Sequence, residues 1–335
     1  MVTQAAKSLD PAKPNPPAKR RWIQVLGPFL GLLLVIAFFA IVSGSALRFL
    51  SAANIRIVLA QTVIVAIGAI GMTLIIVSAG IDLSVGASVA LTSVIAALAL
   101  HNGMSPWVAV LLAIAMGGLI GAINGLAITR LRVVPFIATL GMLGVARGLA
   151  KYFANQQTVN APPSWINELA VSFPTHSWML VAPGAWITTI LAIFMTLVMR
   201  KSVFGRRVFA VGSNEAAARA CGIHVERIKV LIYTIGGLFF GLAGLMQMSR
   251  LRQGDPTVAV GVELDVIAAV VIGGGSLNGG EGSILGAMIG ALIMAFLRNG
   301  CLQMGWANYV QEIIIGVIIV LAVAIDRYRA KAAQA

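Results

Sequence analysis

Long apolar runs, free of charge and separated by short polar breaks, recur along this chain and leave few folds open to it. Phe29–Val42, Val108–Ile128 and Ile313–Ile325 contain no Asp, Glu, Lys or Arg. A membrane-spanning helix needs roughly 20 predominantly apolar residues and satisfies its backbone polar groups internally. Only 10% of the 335 residues are charged, against about 25% in a soluble globular protein. A chain so poor in charge cannot cover a water-exposed surface, so the pattern predicts an all-α integral membrane protein.

Hydropathy and turn signals predict about ten transmembrane helices, near 23–43, 57–79, 84–100, 107–129, 134–152, 181–199, 228–249, 262–274, 283–298 and 309–326. The eighth is short, and the stretches around Asp82 and Glu263 are candidates for broken or re-entrant helices. Irregular backbone of that kind is tolerable in a membrane only where protein buries it or a wet cavity adjoins it.

Ten spans place both termini on one side. With the N-terminus inside, seventeen Lys and Arg fall on cytoplasmic segments, six on external ones, and Arg147 lies within a span. That asymmetry follows the positive-inside rule and predicts cytoplasmic termini. The formal charge of +13 therefore belongs to membrane flanks, and no nucleic acid partner is expected. Residues 1–22 read as a disordered basic cytoplasmic tail, held beside anionic lipid by Lys19, Arg20 and Arg21. No cleavage-like sequence follows the first apolar run, so no signal peptide is expected. A transmembrane domain is expected over 23–328 and a cytoplasmic tail over 329–335.

Two loops stand out. Residues 153–180 form the largest external segment, uncharged apart from Glu168 and carrying Pro162, Pro163, Trp165, His176 and Trp178. It fits either a surface for a soluble partner or an interfacial loop anchored by its tryptophans. Residues 200–228 form the largest internal segment. Within it Asn214–Cys221 signals a short helix that Ser213 or Asn214 can cap, with Glu215 at the positive end and Gly222 as a stop. A helix this short is unstable alone in water, so the rest of the chain or a cytoplasmic partner must hold it.

Inside the membrane, Gly117, Gly121 and Gly125, and again Gly282, Gly286 and Gly290, have the small-residue spacing of close helix packing. Acidic groups carry more information, because charge in hydrocarbon is unfavourable unless paired or wet. Asp82 and Ser84 sit between two spans, where they fit helix capping or a place on a transport pathway. Glu263 and Asp265 open the eighth span, and Glu263 fits external water as well as a pathway. Asn124 in the fourth span has a helix-to-helix hydrogen bond as its ordinary role.

No motif supports chemistry. The glycine-rich run Gly273–Ser283 lacks the Lys-Ser/Thr ending of an ATP-binding loop and follows a membrane span, so a tight cytoplasmic turn is expected. His101, His176 and His224 form no pair at metal-ligand spacing. Cys221 and Cys301 imply neither a disulfide scaffold nor a zinc site. No nucleophile and base are marked for an intramembrane protease or transferase.

Three stretches together resemble the membrane permeases of bacterial ABC importers for monosaccharides, the ribose permease family: SAGIDLSVGASVALTSVIAA (78–97), VGSNEAAARACGIHVERIKVLIYTIGG (211–237) and GVELDVIAAVVIGGGSLNGGEGSILGAMIGALI (261–293). The resemblance runs from about residue 50 to residue 328 and implies a type II importer-like permease. It implies a second permease copy, a homodimer by preference, in the inner membrane. It further implies a cytoplasmic ATPase subunit with two nucleotide-binding domains and a periplasmic sugar-binding protein. Ser213, Asn214, Glu215, Ala216, Ala217, Gly222 and Ile223 would then form the coupling region, with Asp82, Ser84, Asn124, Glu263 and Asp265 as candidate pathway or gating residues. The chain would bind no cofactor, ATP and Mg2+ being held by the ATPase, and the substrate would cross chemically unchanged by alternating access. Ribose-like pentoses come first as cargo. An ion-gradient-driven secondary transporter and a channel-like protein share the helical pattern and stand as alternatives.

Overall fold

The computed structural model describes residues 18–173 and 180–332. Its helices are α1 (Ala18–Val42), α2 (Ala46–Phe49), α3 (Ala52–Val77), α4 (Val85–His101), α5 (Pro106–Arg130), α6 (Pro135–Phe153), α7 (Pro183–Lys201), α8 (Val203–Ser213), α9 (Glu215–Ala220), α10 (Val225–Leu251), α11 (Val262–Ile272), α12 (Ile284–Gln303) and α13 (Asn308–Ala332). The ten expected spans each overlap one of α1, α3, α4, α5, α6, α7, α10, α11, α12 and α13.

Five of these, α3, α5, α7, α10 and α12, are long and apolar enough to cross a membrane. Apolar stretches in α1, α4 and α13 are shorter. α11 has 11 residues, about 16 Å of rise, which is too short to cross alone, as the eighth span's brevity foretold. α1 begins at Ala18, so residues 18–22 are helical where a disordered tail is expected. α13 likewise runs on to Ala332, into the expected C-terminal tail. Residues 1–17 and 333–335 lie outside the described residues.

α3 is apolar on every face and buried from Ala66 to Val77, the pattern of a core helix. It packs against α7, α10, α11 and α12. α5 and α10 cross closely because both present glycine. A Cβ on Gly117 would lie 2.6 Å from Gly241 Cα, and one on Gly125 would lie 2.8 Å from Val230 Cα. Gly286 and Gly290 of α12 meet the backbone of Gly273 and Ala269 in the same way. Both glycine stripes are thus packing seams.

A two-residue antiparallel ladder pairs Val159 with Gly254 and Asn160 with Gln253. The first part of the loop from α6 to α7 lies on the bundle: Ile166 and Ala170 are buried, and the Ala170 N–H donates to Ser249 Oγ at 3.0 Å. Trp165 packs against Trp107 with ring centroids 4.7 Å apart. His176 and Trp178 lie outside the described residues.

Candidate functional site

Two constellations collect the singled-out residues, one inside the bundle and one at the end where α8 and α9 lead into α10. The inner one starts where α3 stops. The Gly80 N–H donates to Ile75 O and the Ala79 N–H to Ile76 O, both at 2.9 Å, a paired helix stop whose left-handed position is ordinarily glycine. Here it is Ala79, at φ 61°, and a left-handed conformation at an L-residue is unfavourable by about 1–2 kcal/mol. The chain then turns through Asp82 into α4.

Asp82 Oδ1 accepts from the Ser84 N–H at 2.8 Å and from Ser84 Oγ at 2.6 Å. Asn124 Nδ2, on α5, donates to Asp82 Oδ2 at 3.2 Å and to Ser84 Oγ at 3.1 Å. Asp82, Ser84 and Asn124 are all buried. Tyr233 of α10 donates its hydroxyl to Ile81 O at 3.3 Å. Asn124 therefore bonds from α5 to the turn between α3 and α4, where a helix-to-helix bond is expected. Ser84 precedes α4 without making a side-chain capping bond, because its hydroxyl is turned to Asp82 instead.

α11 starts beside the start of α4. A Cβ on Gly86 would collide with Ala259 O and Glu263 Oε2. Two short helices thus begin against each other within the bundle, and each is preceded by a left-handed alanine, Ala79 and Ala259. Glu263 is half-buried rather than open to external water, and its Oε2 is without a hydrogen-bond partner. Asp265, two residues on, pairs with Arg298 of α12 at 2.6 Å. Sequence reasoning noted both acids but not this cation. Arg147, an isolated charge within α6, donates to Pro256 O at 2.9 Å and Val258 O at 2.6 Å, fixing the segment that leads into α11. Its signal was already legible as an isolated charge in an apolar helix.

The second constellation is built on α9. Asn214 caps it, accepting from the Ala217 N–H at 2.9 Å; of the two expected caps, Ser213 ends α8 instead. At its other end the N–H of Gly222, at φ 80°, donates to Arg219 O, and the Ile223 N–H donates to Ala218 O, the paired hydrogen bonds of a glycine-terminated helix. Lys229 of α10 meets Glu215 at 2.6 Å, Arg219 meets it at 3.3 Å, and Arg219 also pairs with Glu226. The Lys229 hydrogen bond, foremost, holds the Glu215 carboxyl below its ordinary value of 4.5. α9 is thus tied to its own chain at both ends and along one side, with Ala218 buried beneath it. Ser213, Asn214, Glu215, Ala216, Ala217 and Gly222 remain exposed.

The α8–α9 junction touches both interior turns. A Cβ on Gly212 would meet Val77 O and lie 2.7 Å from Gly280 N, and one on Gly280 would lie 2.5 Å from Ser213 Oγ. The glycine-rich run is the tight turn expected, with positive φ at Gly274, Gly279 and Gly280.

A family model described as "Branched-chain amino acid transport system / permease component" matches residues 54–323. The ribose import permease protein RbsC of Escherichia coli (strain K12) is 40% identical over 307 residues, which cover 92% of this chain and 95% of the relative. RbsC of Bacillus subtilis (strain 168) is 40% identical over 306 residues, 91% of this chain and 93% of the relative. The fructose import permease protein FrcC of Rhizobium meliloti is 34% identical over 311 residues, 91% and 86% of the two chains. No solved structure gives a significant match.

Proposed function

This chain belongs to the permease components of the branched-chain amino acid and sugar ABC transporter superfamily, closely related to the ribose permeases, and from that premise we propose that it carries a monosaccharide, ribose-like pentoses first, from periplasm to cytoplasm. Such permeases are non-catalytic transport components that move a small polar solute, and ATPase activity resides in a partner subunit. On this reading ten passes lie in the inner membrane with both termini cytoplasmic, and two copies of the chain enclose the path. A periplasmic sugar-binding protein delivers the cargo and a cytoplasmic ATPase with two nucleotide-binding domains drives the cycle.

The observation that carries the reading is the state of α9. Its alanines Ala216 and Ala217 face solvent while its caps, Ala218 and the pairs to Lys229 and Glu226 fix the helix to the bundle. A small, rigidly mounted helix suits insertion into a cleft of a moving partner. Its displacement acts on the Gly212–Val77–Gly280 contact and so on the turns that start α4 and α12. Packed elements of this kind transmit motion when they have two discrete arrangements. Asp82, Ser84 and Asn124 would then move with the α4 start, and Glu263 and Asp265 with the α11 start. Alternating access follows if these two helix starts part and rejoin on either side of the cargo.

The test is uptake of labelled ribose, with competing sugars, by proteoliposomes holding the permease, its cognate ATPase and its binding protein. Uptake requiring ATP and both partners supports the reading, and suppression only by another sugar replaces the cargo. The buried acids Asp82 and Asp265 favour a second reading, transport driven by an ion gradient. Uptake unaffected by omitting ATP and the ATPase selects it.

A further inference from the structure

Beside α9 lies a groove of about 430 Å³, walled by α9, by the first turn of α10 and by the turn that joins α5 to α6. Its charges divide unevenly. The carboxylates of Glu215 and Glu226 are taken by Arg219 and Lys229. Arg132, which also lines the groove, has no ion pair or hydrogen bond from its side chain to any described residue. Its backbone is held at φ 56°, a left-handed conformation that is unfavourable for a long side chain and persists only where surroundings impose it. Flanking it, Leu131 and Val134 are 74% and 59% exposed. The turn therefore presents one unpaired guanidinium between two bare apolar side chains, continuous with the open face of α9.

We propose that this turn is a second contact for the ATPase subunit, with Arg132 taking an acidic side chain of that partner into the groove. This rests on the reading of α9 given above and extends it to a second element. The chemistry fits on three counts. Arginine between apolar neighbours is the composition of a protein interface core. A guanidinium donates two parallel hydrogen bonds to a carboxylate. The carboxylates already in the groove are neutralised by their own partners, so they do not repel an incoming one as free charges would. The contact also gives the partner a hold on α6, whose Arg147 grips the segment leading into α11. Force from the ATPase would then reach the α4 start through α8 and the α11 start through α6.

Binding of the cognate ATPase to the full permease in nanodiscs, titrated at several salt concentrations, tests this. Arg132→Glu should weaken binding about tenfold and reduce its salt dependence, as loss of an interface charge does. Arg132→Ala should weaken it less, and Arg132→Lys should stay within about twofold, since a point charge replaces most of the attraction but not the fork. Should Arg132→Glu fail to insert, the Ala and Lys variants carry the comparison. Ala217→Trp, on α9, is measured in parallel. Arg132 variants that bind normally while Ala217→Trp does not would overturn the second contact and leave the importer reading standing. If the unaltered permease binds no ATPase, both fall. If the Arg132 variants lose only retention on anionic-lipid vesicles, with ATPase affinity intact, the cation serves lipid headgroups and the proposal is overturned.

Discussion

The backbone N–H of Gly280 donates a hydrogen bond of 2.8 Å to the carbonyl oxygen of Val77, the last residue of α3. This bond ties the glycine-rich turn to the end of the core helix at the point where the α8–α9 junction also arrives. Gly212 fills the remaining space, and a Cβ there would run into the same carbonyl.

Gly212→Ala should separate binding from transport. The added methyl must displace Val77 or Gly280, and overpacking of this kind is destabilising by about 1–3 kcal/mol. α9 keeps its caps and its pairs to α10, so ATPase affinity should change less than about twofold while uptake falls at least about tenfold. Binding titrations and proteoliposome uptake on the same preparation decide it. Parallel loss of both would mean that the junction merely holds α9 in place.

Asp82→Ala should impair uptake more than membrane-inserted yield. The change leaves the Ser84 N–H and hydroxyl without their acceptor in a buried site, at about 1–3 kcal/mol for each unsatisfied group, while Asn124 Nδ2 keeps only Ser84 Oγ. Asp82→Asn keeps one acceptor oxygen and should restore most of the yield but not the uptake. A double-mutant cycle with Asn124→Ala should show a coupling of about 1 kcal/mol, since the two side chains touch. Yield and uptake falling together in both Asp82 variants would assign Asp82 to structure alone.

Much of this was legible in the sequence, for reasons that differ between residues. Gly117, Gly121 and Gly125 announced a close seam because their spacing already places them on one helix face. Asn214 and Gly222 announced the ends of α9 because capping is local chemistry. The helical stretch over 18–22 was not read, since basic and apolar residues there fit a tail as well as a first turn. Asp265 stood out as an acid in an apolar helix, but its partner Arg298 is 33 positions away, and nothing local joins them. The meeting of Gly86 with Glu263 was equally hidden, because it depends on how α4 and α11 pack. Arg132 read as one more positive-inside charge, and only the packing of the α5–α6 turn beside α9 distinguishes it.

Arg298→Ala should destabilise the bundle more than Asp265→Ala does. Asp265 is 1% exposed and Arg298 40% exposed, so removing the arginine strands a carboxylate in protein, whereas removing the acid leaves a cation that can reach water. Breaking a fully buried pair is destabilising by about 3–5 kcal/mol, and the half-open arginine lowers that to about 2 kcal/mol for Arg298→Ala. Unfolding in detergent with increasing denaturant measures both. Equal losses would show that the pair is hydrated on both sides.

The tie between α9 and α10 should be insensitive to pH near neutrality and weaken in acid. Glu215 is held below its ordinary value of 4.5, first by the Lys229 hydrogen bond, with Arg219 pulling in the same direction. A carboxyl depressed in the folded state stabilises above its unfolded pKa, and that contribution disappears as pH falls through the lower folded value. Amide exchange at Ala217–Ala220, corrected for intrinsic rates, should therefore show constant protection from about pH 8 down to about pH 5, then falling protection below 4.5. Glu215→Gln removes the titrating group and should lower protection at neutral pH while flattening the acid limb. If the variant keeps the wild-type acid limb, Glu226 or a more distant group governs the release of α9, and Glu215 is a bystander to it.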